Sequence, residues 1–484
     1  MRKKLYVPKS FHTGPIIHPG NVLAESNWLP DPQFLLGNTT GWSQFNTVIS
    51  FNANKGRKTV GCLQSVISGS SGSAFYTAHN VPAGAFLIFW CWVLGDSNSK
   101  GKFVQGKIKC EATQAFQDTV PYMLDDKVWQ RVLVTYVNPS FGDVTFTLQG
   151  FDTVSGNNIF IDDVMISTYK LPSLTVSGRK LLLDNIPVYL RMCNYNNAGT
   201  GAPGGINFAY EAKVLPYDMA LLKAQGCNGF RVYYDNYVAN DYGRGLDVAL
   251  NYNQFVLVDY FIWISGGDYS VATGGTNRTA TISAYTTMCT NLKNHPAVLF
   301  CGFGSEGNYH LGSNSSTDWY SLLDACAAAG KGVNTHALQY TSNGGLPHPS
   351  VDSQIPNVDV FGLTQYGNPS NVYRDETLDG FDVNNLAIDS QKPLMLTEIG
   401  TGMWSAGGDQ QQAQSDADVR LLQQTEGFRQ AMCGHTYFQF MDNRGDTSEF
   451  GVSEVLATGA AQTRITRIAY TGIKNLFASN VIPQ

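Results

Sequence analysis

Two glutamates in this chain stand where the sequence can bring carboxylates to one cleft. Glu306 follows the apolar stretch in Asn294–Asn308, NHPAVLFCGFGSEGN, and Glu398 follows that in Lys392–Gly400, KPLMLTEIG. Both runs break at glycine. An apolar run of this length between turn residues reads as a strand buried on both faces, as in parallel sheets. A carboxylate is costly to bury unpaired, so it belongs at the strand's exit, where a cleft solvates or pairs it. Two carboxyls at the ends of two buried strands suit the two-carboxylate cleavage of a glycosidic bond. One is protonated and serves the leaving oxygen; the other is ionised and attacks the anomeric carbon. Either glutamate alone reads equally well as a capping or surface residue.

The elements that must position this pair are legible by period. Apolar runs at 188–194, 229–234, 255–264, 298–304, 337–342, 358–365, 394–398 and 435–441 read as buried strands. Helical stretches lie between several of them. Pro216 to Gln225 ends at Gly226, and Ile282 to Lys293 stops before Pro296. Ser415 to Met432 is long and amphipathic, and Ile465, Ile468, Ala469, Gly472, Ile473 and Leu476 line one face of a last helix. Eight alternations in roughly 300 residues fit a (β/α)8 barrel better than a doubly wound sheet. Glu306 then follows the fourth strand and Glu398 ends the seventh, facing each other across the mouth. Inward-reaching side chains there approach about 5–5.5 Å, the retaining separation.

Residues 29–172 have a different rhythm. Short alternating runs such as Phe86–Val93 and Gln130–Tyr136, separated by Gly, Asn, Asp and Ser clusters, predict an all-β sandwich. Residues 1–28, rich in Pro, His and Gly, read as an extended arm. The expected organisation is therefore multidomain: arm 1–28, sandwich 29–172 and barrel 173–484.

Composition agrees with a folded chain of more than one domain. Its 484 residues are 43% hydrophobic and 14% charged. The formal charge of −6 leaves no basic footprint for nucleic acid, and no stretch has the length and apolarity of a membrane span. Nine scattered cysteines without a CxxC pair read as buried reduced thiols. Met1-Arg2-Lys3-Lys4 is followed by no apolar h-region or cleavage site, so synthesis in the cytoplasm without a signal peptide is expected.

Particular words in the chain carry resemblances. PDPQFLLGNTTGW (30–42), VPAGAFLIFWCWV (81–93), VWQRVLVTY (128–136) and NIFIDDVMI (158–166) resemble the jelly-roll carbohydrate-binding modules appended to many glycosidases. That resemblance implies a structural calcium near Asp162 or Asp163; strand-end carboxylates are the alternative. NHPAVLFCGFGSEGN and KPLMLTEIG resemble the fourth- and seventh-strand motifs of clan A of the retaining glycoside hydrolases. GCNGFRVYY (226–234), NVDVFGLTQYG (357–367) and YFQFMDNRGDTSEFGV (437–452) match its second, sixth and eighth strands in order. The resemblance implies Glu306 as acid/base and Glu398 as nucleophile. Arg231 lies beside the nucleophile, where a cation favours the charged form, and Tyr366 donates a hydrogen bond to it. Asn194 and Asn308 fall at polar contact positions, Tyr233, Tyr234, Tyr366 and Trp404 read equally as sugar contacts or as core and rim packing, and neither redox cofactor nor catalytic metal is implied.

Two positions depart from the clan. Ser305 stands where an asparagine meets the sugar 2-hydroxyl, and Phe440 or Met441 where a tryptophan platform is usual. These departures favour an alternative, a weak or inactive barrel that binds glycan or serves structurally. The absence of a signal peptide suggests a phage particle protein, released by lysis and docked to a larger assembly through residues 1–28. A cytoplasmic glycosidase acting on imported oligosaccharides is the other setting.

Overall fold

The computed structural model describes residues 27–29, 31–58, 61–195, 215–234, 242–262, 264–344, 351–367, 390–401, 411–427, 432–438, 440, 453–455, 464–466 and 468–479. The arm expected over residues 1–28 lies almost wholly outside them.

The first strands are β1 (Trp42–Phe45), β2 (Thr47–Asn52), β3 (Cys62–Ile67), β4 (Ser71–Val81), β5 (Phe86–Gly95), β6 (Phe103–Cys110), β7 (Phe116–Asp118), β8 (Tyr122–Met123), β9 (Gln130–Val137), β10 (Gly142–Phe151) and β11 (Asn158–Thr168). They form two antiparallel sheets, ordered β1-β4-β10-β6-β7, with β8 also on β6, and β2-β3-β11-β5-β9. Residues that alternate inward along each strand meet between the sheets. Phe89 of β5 packs edge-on against Phe146 of β10, with ring centroids 6.1 Å apart.

A three-stranded antiparallel sheet follows, β12 (Leu174–Ser177), β13 (Lys180–Leu183) and β14 (Ile186–Val188). Its Leu174, Leu181, Leu183 and Val188 join Leu190 and Phe255 in one buried apolar cluster. The latter two residues open their strands, so this sheet packs beneath the amino-terminal end of the barrel.

The barrel closes through eight neighbouring parallel strands: β15 (Leu190–Asn194), β16 (Gly229–Tyr233), β17 (Phe255–Phe261), β18 (Val298–Gly304), β19 (Leu338–Gly344), β20 (Phe361–Gly367), β21 (Leu394–Thr401) and β22 (Met432–Tyr437). Each matches an apolar run read from the sequence, β18 with the same bounds and the others with shifted ends. Met432 opens β22 and does not end the preceding helix, which spans Gln411–Gly427 and stops at a glycine. Ile465 lies in β24 (Arg464–Thr466), paired with β23 (Ser453–Val455), so the last helix begins only at Ile468. Helical spacing of apolar residues does not by itself mark where a strand hands over to a helix. All nine cysteines are buried and unpaired. Among the described residues no helix is long and apolar enough to cross a membrane.

The sandwich grips the barrel through the helix Tyr242–Asn251. Thr135 donates from its amide and hydroxyl to Asp247 Oδ1 at 3.0 and 2.7 Å, and Arg131 Nε donates to Asn251 Oδ1 at 2.6 Å. His295, in the turn before β18, bonds the same Asp247 oxygen at 3.2 Å. Buried polar groups paired across the junction fix how the two units sit, because each would be costly to leave unpaired.

Candidate active site

Polar side chains gather at the carboxyl-terminal end of the barrel, where a (β/α)8 fold builds its sites. A β-bulge decides how one carboxylate is aimed. Strands β20 and β21 pair Leu363 with Leu396, and then Thr364 with Glu398, which leaves Thr397 as the extra residue. Alternation would send Thr397 and Glu398 to opposite faces. Instead Thr397 Oγ1 bonds Ser342 Oγ at 2.9 Å while Glu398 reaches Arg231, so both point inward. Bulges commonly re-aim a side chain beside a site.

Glu398 is buried and held from several strands. Its Oε1 accepts from Arg231 Nη1 at 2.5 Å and from Tyr233 OH at 2.5 Å, with Ser305 Oγ at 3.4 Å. Arg231 is wholly buried. It also pairs with Asp259 and donates to Asn194 Oδ1 at 2.8 Å, Tyr340 OH at 3.2 Å and Ser342 Oγ at 3.2 Å. Burial opposes the guanidinium's charge, but Tyr233, Asp259, Tyr340 and Glu398 outweigh it and raise its pKa. It is therefore a fixed cation. Burial pushes the Tyr233 phenol up, against the pull of Arg231, and keeps it a neutral donor. Asp259 is also pushed up by burial, and Arg231 only partly offsets this.

Glu306 sits differently. Gly304, Ser305 and Glu306 have φ of 125°, 66° and 60°, three successive left-handed residues that swing the chain off β18. A side chain on Gly304 would bring its Cβ within 2.6 Å of the Ser342 carbonyl. Non-glycine residues held in this region cost about 1–3 kcal/mol each and persist where surroundings fix them. The Glu306 amide donates to Ser342 O at 3.1 Å, and Asn308 clamps the loop by donating to Gly344 O at 2.6 Å and accepting from Gly344 N at 2.8 Å. The half-buried Glu306 accepts from Thr364 Oγ1 at 2.7 Å. Burial raises its pKa, the Thr364 bond lowers it, and the negative charge of Glu398 raises it again, for a net rise. One carboxyl paired with a cation and one biased toward the proton are the two states that acid and nucleophile require.

The positions expected from the sequence fall into three groups. Glu306, Glu398, Arg231, Tyr233 and Ser305 converge at this mouth, where Tyr233 OH and Ser305 Oγ lie 2.9 Å apart. Asn194 and Asn308 engage the protein itself: Asn194 joins Arg231 to the Thr397 carbonyl, and Asn308 joins the loop to β19. Tyr366 lies on β20 with its backbone opposite Gly400; its side chain lies outside the described residues, as do Met441 and Trp404. Among the described residues, Tyr233 OH and Ser305 Oγ are the hydroxyls that reach Glu398. Phe440 is wholly buried against Tyr195, ring centroids 5.8 Å apart. Asp259, Ser342, Tyr340 and Thr364 were not legible as site residues. Asp259, in the run FVLVDYF, carried a signal, since an acid in a buried strand needs a partner.

Asp162 and Asp163 lie in the sandwich, far along the chain from this mouth. Asp162 accepts the backbone amides of Arg57 at 2.6 Å and Asp163 at 2.8 Å; Asp163 accepts Arg57 Nη1 at 2.5 Å and Gln33 Nε2 at 3.0 Å. All four oxygens have protein donors, so these residues do not fit a calcium ion, which takes six to eight oxygen ligands. Arg57 brings its own positive charge and stacks over Trp92 at 3.6 Å.

No family model and no curated sequence matches the chain. Solved structures do resemble it. A β-glucuronidase from Ruminococcus gnavus superposes with a TM-score of 0.50 at 11% identity, over 85% of this chain and 88% of that one. A GH2 β-galacturonidase from Eisenbergiella tayi bound to galacturonate gives 0.49 at 11%, over 92% and 98%. The agarase AgWH50C gives 0.44 at 10%, over 96% and 98%. The glucuronidase shares the multidomain, barrel-bearing fold of this chain.

Proposed function

We propose that this chain hydrolyses β-linked oligo- or polysaccharide by double displacement with retention, as a clan A glycoside hydrolase. The observation that carries the reading is the pairing of unlike carboxyls at one barrel mouth: Glu398 on Arg231 and Tyr233, and Glu306 half-buried on Thr364 with a raised pKa. Glu398 attacks the anomeric carbon as Glu306 protonates the departing oxygen. Glu306 then takes a proton from water, which displaces Glu398. No step needs a metal or redox cofactor. A fold shared with a β-glucuronidase agrees with this chemistry by analogy. The test is Glu398→Gln and Glu306→Gln on purified protein with a panel of β-linked glycans. Wild-type turnover with a β-configured first product, abolished by Glu398→Gln, is expected. Turnover that survives Glu398→Gln, or an inverted product, overturns the reading.

A second reading, a glycan-binding or structural barrel with weak or no turnover, is favoured by one observation. One of the two expected platform positions, Phe440, is buried and offers no face to a sugar. Calorimetric binding of an oligosaccharide with no product would support it. The sandwich is read as a jelly-roll carbohydrate-binding-like module, and the chain as a virion-associated protein docked through residues 1–28. Mass spectrometry of purified particles tests the latter.

A further inference from the structure

Thr364 lies between two acceptors. Its Oγ1 is 2.7 Å from Glu306 Oε1 and 3.2 Å from the Asn343 carbonyl. A hydroxyl has one proton to donate, and the shorter bond to a group that becomes charged is the stronger. Thr364 is buried on β20, opposite Glu398 in register. A β-branched side chain there is stiff at χ1. Among the described residues Glu306 Oε2 accepts no hydrogen bond.

We propose that Thr364 is the positioning residue that settles which oxygen of Glu306 carries the transferable proton. Donation to Oε1 makes that atom the carbonyl oxygen of the acid and leaves the proton on Oε2. When the leaving oxygen takes the proton, the Oε2–H bond breaks and its electron pair stays on Glu306. The Thr364 bond is then charge-assisted and stabilises the carboxylate that next acts as base. The other groups that act on Glu306 are Glu398, which raises its pKa, and His310 and Arg231, which lower it. Tyr309, in the same loop, feels the charge of Glu306 in turn. Loss of the Thr364 donor removes a lowering influence, so the Glu306 carboxyl titrates higher.

The inference rests on Glu306 as acid/base, and its test separates the two. Full-length protein labelled with 13C at glutamate carboxyls is titrated by NMR, with Glu306→Gln identifying the signal. Thr364→Val is expected to raise the Glu306 midpoint, and Thr364→Ser to restore it. If Thr364→Val does not fold, Thr364→Ala makes the same comparison. In kinetics, Thr364→Val moves the alkaline limb of kcat/KM upward. It lowers kcat/KM about tenfold on glycosides with poor leaving groups, the loss of roughly one hydrogen bond, while activated aryl glycosides, which need little acid assistance, change little. An unmoved Glu306 midpoint in a folded variant, or equal losses for both leaving groups, overturns the proposal. Absence of wild-type turnover on any glycoside overturns the hydrolase reading, while the titration still decides whether Thr364 sets the protonation of Glu306.

Discussion

Two buried arginine–glutamate pairs in this barrel use the same groups to different ends. Arg191 of β15 meets Glu426 of the helix Gln411–Gly427 by two bonds, 2.6 and 2.8 Å, with His435 at 3.3 Å and the Phe477 carbonyl at 3.1 Å. That pair ties the barrel wall to its helical layer, and both carboxylate oxygens are held by one planar fork. Arg231, inside the barrel, serves two carboxylates, Asp259 and Glu398, from a single guanidinium. Among the described residues Asp259 Oδ1 has no hydrogen-bond partner. Burial works against the charge of Glu426 too, yet His435 and Arg191 hold its pKa down to about 2. A bidentate pair, with His435 on the same carboxylate, locks structure. Arg231 instead is shared between two acids and several hydroxyls at the mouth.

The sharpest way to break this contrast is a pair of substitutions. Glu398→Gln should lower turnover of a β-glycoside by a factor on the order of 10⁴ or more, with a smaller loss of stability than Glu426→Gln because Arg231 keeps Asp259 as a partner. Glu426→Gln should do the reverse. Breaking one side of a buried pair costs about 3–5 kcal/mol of stability, read by urea titration, while activity per folded molecule stays near wild type. If both variants lose stability equally, the distinction fails.

The pH dependence of stability sharpens it further. The folded-state pKa of Glu426 lies below its ordinary 4.5, at about 2. Its contribution is therefore full above about 4.5 and is lost as pH falls toward 2. Denaturation followed between those limits should be steeper in wild type than in Glu426→Gln. A smaller effect is expected at the mouth. Tyr233→Phe removes one donor to the Glu398 carboxylate, and a hydrogen bond to a charged group is worth about 1.5–3 kcal/mol. It should lower kcat/KM about tenfold to a hundredfold with the protein still folded. The smallest effect is in the sandwich. Because Arg57 occupies Asp163, added calcium should leave the melting temperature unchanged; a rise of several degrees would mean that the ion displaces it.

Much of this was legible along the chain. The eight apolar runs that became β15 to β22 are each buried on both faces, and such runs appear in sequence as continuous hydrophobicity. The alternating runs before residue 170 likewise marked strands with one face inward. Glu306 and Glu398 stood out because a charge ending a buried run demands an explanation. Their partners did not. Thr364 and Ser342 carry short hydroxyls, ordinary in any strand, and matter only because neighbouring strands bring them to one end of the barrel.

The sequence by itself determined the element types and the two strand-end acids, since periodicity and the cost of burying charge are local properties of the chain. Tertiary structure alone decided the rest. The bulge at Thr397, invisible as a pattern, turns Glu398 inward. The left-handed turn at Ser305 and Glu306 is held by contacts to Ser342 and Gly344 on another strand. Whether an arginine locks a wall or serves two acids depends on what lies across the barrel from it. Such partners are distant in sequence and meet only when the sheet closes.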